Sequence, residues 1–232
     1  MKFTFGIITN GNSDNNLNLI IDSIEKQSIP FSHYEIIVVG NSGVNRKNTV
    51  VIPFENTIKE WITKKKNLIT KNAKYENIVY MHDYIVLGDN WYDGYLKFGK
   101  DFKVCMNILI NADNTRWRDW VIWPHNFNEM DKIVNPNREC IFSYDITHLS
   151  KYQYISGSYW VAKKDVMVEF PLNEKLSWGE SEDVIWSKEV REKYKFSINT
   201  NSVCKCLKLK NKPFNIAGEE VNEKLRNFDR VK

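Results

Sequence analysis

Apolar positions along the first hundred residues switch between strand and helix periods. The run "FTFGIITNG", Phe3 to Gly11, is apolar until Asn and Gly stop it, which reads as a buried strand leaving into a loop. In "SDNNLNLIIDSIEKQ", Leu17, Ile20, Ile21 and Ile24 recur at helical spacing behind Ser and Asp capping candidates. The unbroken apolar centre of "YEIIVVG", Tyr34 to Gly40, suits a parallel strand buried on both faces. A brief third strand, "TVVIP", leads to a helix expected from about Asn56 to Lys71, and "YENIVYMHDYIVLGDNW" then opens as another buried strand. This β-α-β-β-α-β order predicts an α/β sheet.

After Val104 the periodicity fades. From about Asn111 to Leu149 the chain carries Trp117, Trp120, Trp123, His125 and His148 among polar and turn residues, and so long a loop in a compact domain is usually functional or mobile. Order returns with "YQYISGSYWVAKKDVMVEF", which predicts a turn at Ser156-Gly157, a strand through Val161 and a short helix. A further helix places Trp186, Val190 and Tyr194 on one stripe behind a cap at Ser181. The polar tail beyond Lys212 is expected to cover a sheet edge or fray. With 232 residues and 42% hydrophobic content, the chain can close one sizeable core, so a single domain is expected.

Charge narrows the partners. The net charge of +4 comes from 33 basic and 29 acidic residues that are largely interspersed, so the field of a nucleic-acid binder is missing. Two basic clusters, Lys64-Lys65-Lys66 and the lysines of "CKCLKLKNKP", read as solvated faces or as phosphate- or membrane-facing patches. Cys105, Cys140, Cys204 and Cys206 form no CxxC pair, which suggests reduced thiols in a cytoplasmic protein. The first strand begins at Lys2-Phe3, leaving no room for a leader, and no apolar run approaches the roughly 18 residues of a membrane span. A soluble, at most peripheral, protein is expected.

Two constellations could carry chemistry. Ligands of open α/β sheets bind outside the carboxyl ends of the strands, and His82-Asp83 sit at such an end, where they could hold a divalent cation or a polar ligand, or simply cap a turn. In "WGESED", Trp178 to Asp183, a helix starting near Ser181 would put Glu182 and Asp183 in its first turn. A carboxylate there stays ionised and could take a proton from an attacking hydroxyl, or could simply stabilise the helix. Trp and Tyr crowd the polar second half, and their flat faces suit sugar rings as well as cores and interfaces.

Taken together, three phrases resemble the GT-A glycosyltransferases, most closely the inverting family 2 that includes many polysaccharide transferases. They are "FTFGIITNGN…LIIDSIEKQSIPFSHYEIIVVGNSG", "KKKNLITKNAKYENIVYMHDYIVLGDNW" and "YISGSYWVAKKDV…LSWGESEDVIW", together covering roughly residues 3 to 192. The resemblance implies a Rossmann-like, mixed, mostly parallel sheet flanked by helices. Residues 1–104 would bind the nucleotide-sugar, 105–212 the acceptor, and 213–232 would form a C-terminal tail. It implies that Thr9 and Asn10 lie by the base and ribose, that Asn41 follows Gly40 where the family has an acidic residue, and that Lys66 and Asn67 touch the nucleotide or its phosphates. His82-Asp83-Tyr84 aligns with the Asp-x-Asp that holds Mn2+ or Mg2+ on the donor diphosphate. Only the middle Asp83 is kept, so the implied metal ligands are Asp83 and His82, with His148 or His125 completing the shell. Asp183 would be the catalytic base, supported by Glu182.

The implied reaction is transfer of a sugar from a nucleotide-sugar, most simply a UDP-linked one, to a hydroxyl of a glycan or similar acceptor. It proceeds with inversion, under a lid formed by the Trp-rich segment. Two rivals stand beside it. A sugar-phosphate nucleotidyltransferase should show a basic residue in a Gly-rich loop after the first strand, and "GIITNGNSDNN" has none. A non-catalytic nucleotide- or glycan-binding module of the same fold would account for the acids missing at Gly40, His82 and Tyr84.

Overall fold

The computed structural model describes residues 1–11, 13–123, 130–135, 138–211 and 214–229. Strands β1 (Phe3–Ile8), β2 (Tyr34–Val39) and β3 (Thr49–Ile52) alternate with helices α1 (Asp14–Glu25) and α2 (Ile62–Asn72). There follow β4 (Asn77–His82), β5 (Ile85–Leu87), α3 (Trp91–Phe98) and β6 (Val104–Ile110). The second half holds β7 (Val121–Ile122), β8 (Cys140–Ile141), β9 (Gln153–Tyr154), β10 (Tyr159–Lys163), α4 (Lys164–Glu169) and α5 (Glu182–Val190). It ends with β11 (Phe196–Cys206), β12 (Asn215–Ile216) and α6 (Glu219–Asn227). The main sheet has eight strands in the order β3-β2-β1-β4-β10-β6-β11-β5. Strands β1 to β4 are mutually parallel, β10 runs antiparallel between β4 and β6, and β11 is parallel to β6. This is the mixed, mostly parallel α/β sheet that the sequence predicts.

Alternation along the strands builds two cores, one on each sheet face. Phe3, Phe5, Ile36, Val38, Val79 and Met81 face α1 and α3, where Leu17, Ile20, Ile21 and Ile24 meet Trp91 and Tyr95. Their neighbours Ile37, Val39, Ile78 and Tyr80 face the other way, onto Ile69 of α2, Val166 and Met167 of α4, Trp186 of α5 and Leu225 of α6. Tyr80 stacks on Trp160 at 4.6 Å, joining β4 to β10 across the centre of the sheet.

Three expectations give way. Helix α2 starts at Ile62, not near Asn56, because Glu60 and Trp61 sit at positive φ and the Trp61 indole donates to the Glu174 carbonyl at 2.9 Å. The Trp-rich segment is not simply a loop: β7, β8 and β9 pair with β12 in a second, four-stranded sheet, with Trp120 buried beneath it. Residues 214–229 of the tail do not edge the main sheet: β12 closes the small sheet and α6 drives Leu225 into the core. Among the described residues no helix is long and apolar enough to cross a membrane.

Candidate functional site

The site forms at the carboxyl ends of β1 and β4, where α2 and α5 bring charged side chains over the sheet. Successive residues on a helix point about 100° apart, so the neighbours Lys65 and Lys66 serve different walls. The Lys65 ammonium donates to the Thr9 carbonyl at 2.8 Å and to Asn10 Oδ1 at 2.7 Å, fixing the loop that leaves β1. The Lys66 ammonium donates to the Gly157 carbonyl at 2.8 Å, lies 4.5 Å above the Trp160 ring and stands 3.8 Å from Glu182 Oε1. Each lysine is only 1% exposed, a placement that needs such partners because an uncompensated buried ammonium is costly. Burial lowers the pKa of both, to about 8 for Lys65, against the opposing pull of Asp83 and Glu60 on Lys65 and of Glu182 and Asp183 on Lys66.

Gly157, in the turn between β9 and β10, connects that lysine to the carboxylates of α5. Its N–H donates to Asp183 Oδ2 at 2.8 Å while its carbonyl receives Lys66. Asp183 Oδ1 accepts the Val184 N–H at 2.9 Å, so both carboxylate oxygens are fixed by backbone in the first turn of α5. Ser181 occupies the cap position, but in a left-handed conformation and without a side-chain cap bond. Arg118 Nη2 approaches Asp183 Oδ2 to 3.7 Å, and Arg118 Nε pairs with Glu139 at 2.7 Å. Burial raises the Glu182 carboxyl above its ordinary value, offset in part by Lys66.

Asp183 and Glu182 open into a cleft of about 350 Å3, walled by Trp117, Trp123 and Trp178 on one side and by His82, Tyr84 and Lys210 on another. A narrower recess lined by Thr9, Asn10, Lys65 and Asp83 joins it through His82 and Ile62, which face both. The structure therefore brings Thr9, Asn10, His82, Asp83, Glu182 and Asp183 to two adjoining cavities, with Lys66 bracing Gly157 and Glu182 beside them. It does not bring Asn67, whose amide is spent on Leu172 and Glu174 at the far side of α2. Asn41 is exposed, with Oδ1 accepting the Phe54 N–H at 3.4 Å. The residue before it must be glycine: Gly40 has φ +136°, and a Cβ there would fall on the Thr9 carbonyl, so no acidic side chain can stand at that position.

The three residues expected to share a metal are not assembled. His148 Nε2 lies 3.0 Å from the Phe228 carbonyl beside the end of α6, outside the cleft, and His125 lies outside the described residues. Asp83 Oδ2 accepts the Thr9 hydroxyl at 2.8 Å, and no group of three His, Cys, Asp or Glu side chains that could hold a metal forms among the described residues. The surroundings of His82 are cationic. Burial first, then Lys66, Lys210 and Lys208, hold its pKa well below the ordinary value, and its Nε2 is buried without a partner. Two donor groups amid ammonium groups do not fit the oxygen-rich, anionic shell that Mn2+ or Mg2+ requires.

Sequence reasoning missed Lys65, Arg118, Glu139 and Lys210. Lys65 and Lys210 belong to basic runs whose commonest environment is solvent, and only the fold turns them inward. Arg118 and Glu139 flank two-residue strands that carry no readable period. Nothing in the residue pattern sets them apart, since Arg116, Asp119, Asp131 and Arg138 lie in the same segment.

No family model matches the chain, and no curated protein matches it. Solved structures do. Residues 1–349 of S. aureus TarS superpose with a TM-score of 0.60 at 15% identity, over 89% of this chain and 60% of that one. TarS in complex with UDP-GlcNAc gives 0.58 at 15% identity, over 95% of this chain and 60% of that one. The complex with UDP gives 0.55 at 13% identity, over 97% of this chain and 63% of that one. This chain thus spans less than two thirds of the TarS chains it resembles, and the likeness is one of fold.

Proposed function

We propose that this protein is a glycosyltransferase that moves a sugar from a nucleotide-sugar, UDP-linked, to a hydroxyl of a glycan or similar acceptor, with inversion. The observation that carries this reading is the Asp183 carboxylate, which lines the cleft and is fixed by the Gly157 and Val184 N–H groups. The other wall of the cleft is the strand end where open α/β sheets take ligands, and similar folds were crystallised with UDP-GlcNAc and UDP. Residues 1–104 supply the donor recess through Thr9, Asn10 and Lys65, while 105–212 supply the aromatic acceptor side. Asp183 takes the proton of the acceptor hydroxyl, that oxygen forms its bond to the anomeric carbon, and the bond to the diphosphate breaks with its electron pair on the leaving oxygen. Glu182, braced by Lys66, keeps α5 in register beneath the base.

The test is release of nucleoside diphosphate from a panel of UDP-, GDP-, dTDP- and CDP-sugars with hydroxyl acceptors, alongside calorimetric binding of each nucleotide. Saturable release from UDP-sugars is expected. Binding without release from any donor would instead favour the non-catalytic module, and no binding at all would sink the reading.

A pH dependence follows from Lys65. Its ammonium loses its proton as pH rises through about 8, while UDP is fully ionised above pH 7, so attraction in the recess declines on the alkaline side. UDP affinity should therefore fall several-fold between pH 7 and 9, approaching the roughly tenfold drop in charged Lys65. Titration of Lys65→Met should give weaker binding with a shallower fall across the same range, since burial also lowers the Lys210 pKa. An equally steep slope in that variant would assign the dependence elsewhere.

A further inference from the structure

Tyr84 stands at the end of the opening "HDY", and two ammonium groups sit on its ring: Lys208 Nζ at 4.1 Å from the centroid and Lys210 Nζ at 4.7 Å. Lys210 also reaches the Tyr84 hydroxyl at 3.4 Å. Both lysines follow β11, whose last residue Cys206 pairs with Ile85 of β5, so the sheet itself delivers them to the end of β4. Lys210 lines the cleft, and neither lysine has a carboxylate within ion-pair distance among the described residues, although two nearby cations do: Lys66 has Glu182, and Arg118 has Glu139 and Asp183. Like charges gathered without an acid are unfavourable until an anion joins them. His82, whose ring lies 5.3 Å from that of Tyr84, lines both the recess of Thr9 and Lys65 and the cleft of Asp183.

We propose that Lys208 and Lys210, seated on Tyr84, take the place of a divalent cation and bind the donor's diphosphate directly, so that transfer proceeds without metal. This rests on the nucleotide-sugar reading above and specifies how its leaving group is held. When the acceptor oxygen bonds to the anomeric carbon and its proton passes to Asp183, the C–O bond to the diphosphate breaks and the electron pair stays on the phosphate oxygen. The two ammonium groups meet that charge. The aromatic ring beneath fixes the ammonium groups without neutralising them, which a carboxylate would do.

The experiment is calorimetric titration of inorganic pyrophosphate and of UDP, each in EDTA and in Mn2+, into the wild-type chain, Lys208→Gln/Lys210→Gln and Lys210→Arg. Wild type should bind both ligands in EDTA, with Mn2+ changing either affinity by less than about threefold. The double variant should bind both at least about tenfold more weakly, while Lys210→Arg, which keeps the charge, should stay close to wild type. UDP binding that Mn2+ strengthens about tenfold or more would overturn the inference and leave the transferase reading standing, as would full UDP affinity in the double variant. Because the Mn2+ comparison uses wild type alone, it decides the matter even if the double variant fails to fold. Pyrophosphate bound as tightly as UDP, metal-free and lysine-dependent, would uphold the anion clamp and remove the nucleotide reading. Failure of both ligands to bind would overturn both.

Discussion

Asp183→Asn is expected to lower turnover by about 10²–10⁴-fold, the usual contribution of a positioned general base, while UDP affinity stays within about twofold. The separation follows from where the carboxylate sits. Asp183 faces the larger cleft with the acceptor-side tryptophans, whereas Thr9, Asn10 and Lys65 line a separate recess. An ionised carboxylate accepts about four hydrogen bonds, and two of these go to the Gly157 and Val184 N–H groups, leaving room for an acceptor hydroxyl. The amide keeps one oxygen acceptor but turns an NH2 toward the other backbone N–H, so a stability loss of about 1 kcal/mol should accompany the kinetic one. The kinetic signature is a loss in kcat with little change in donor affinity. If kcat and the affinity for donor fall together, Asp183 binds the donor and is not the base. An unchanged kcat would remove it from the chemistry altogether.

The elements that support this site were legible wherever burial imposes a period. The "FGII", "IIVV" and "IVYM" runs are buried on both faces, so they read as parallel strands, and α1 shows its stripe because it lies on one face of the sheet. The stripe expected for Trp186, Val190 and Tyr194 is shorter, since α5 ends at Val190 and buries Glu182, Asp183 and Ser187 alongside Trp186 and Val190. Thr9 and His82 stand at the ends of two of these strands, and Asp183 in the first turn of α5. The small sheet was not legible because β7, β8 and β9 are two residues each and are defined by partners far along the chain. Asn67 misled for a related reason. It neighbours Lys66 in sequence, yet the helical turn sends it to Leu172 while Lys66 goes to Gly157. Lys208 and Lys210 follow a long strand whose register shifts between Asn199 and Val203, an irregularity that residue spacing does not reveal. What a lysine does depends on which side of such a shift it falls.

Gly157→Ala should lower kcat by about 100-fold, the cost of misplacing a catalytic group by roughly an ångström, even though every catalytic side chain is retained. A Cβ on Gly157 would lie 2.9 Å from Asp183 Oδ2, 3.1 Å from Glu182 Oε1 and 3.3 Å from Asp183 Cβ. Neither carboxylate can retreat easily. Asp183 is tied to Val184 and Glu182 lies against Lys66, while Trp186, one turn on, is locked by its indole N–H to the Phe170 carbonyl at 2.7 Å. Relief must come from rotating Asp183 away from the Gly157 N–H, which orphans a buried donor and redirects the base, at a stability cost of about 1–3 kcal/mol. Gly218→Ala is the control, since a Cβ there meets nothing within 4 Å, and its kcat should equal that of wild type. The two variants test opposite halves of one assignment: Asp183→Asn keeps the position and removes the basicity, and Gly157→Ala keeps the basicity and moves the position. If Asp183→Asn is inactive but Gly157→Ala turns over normally, the carboxylate's charge is needed somewhere other than at the acceptor hydroxyl. Loss in both, with UDP still bound, is the result that a proton acceptor held by the Gly157 N–H requires.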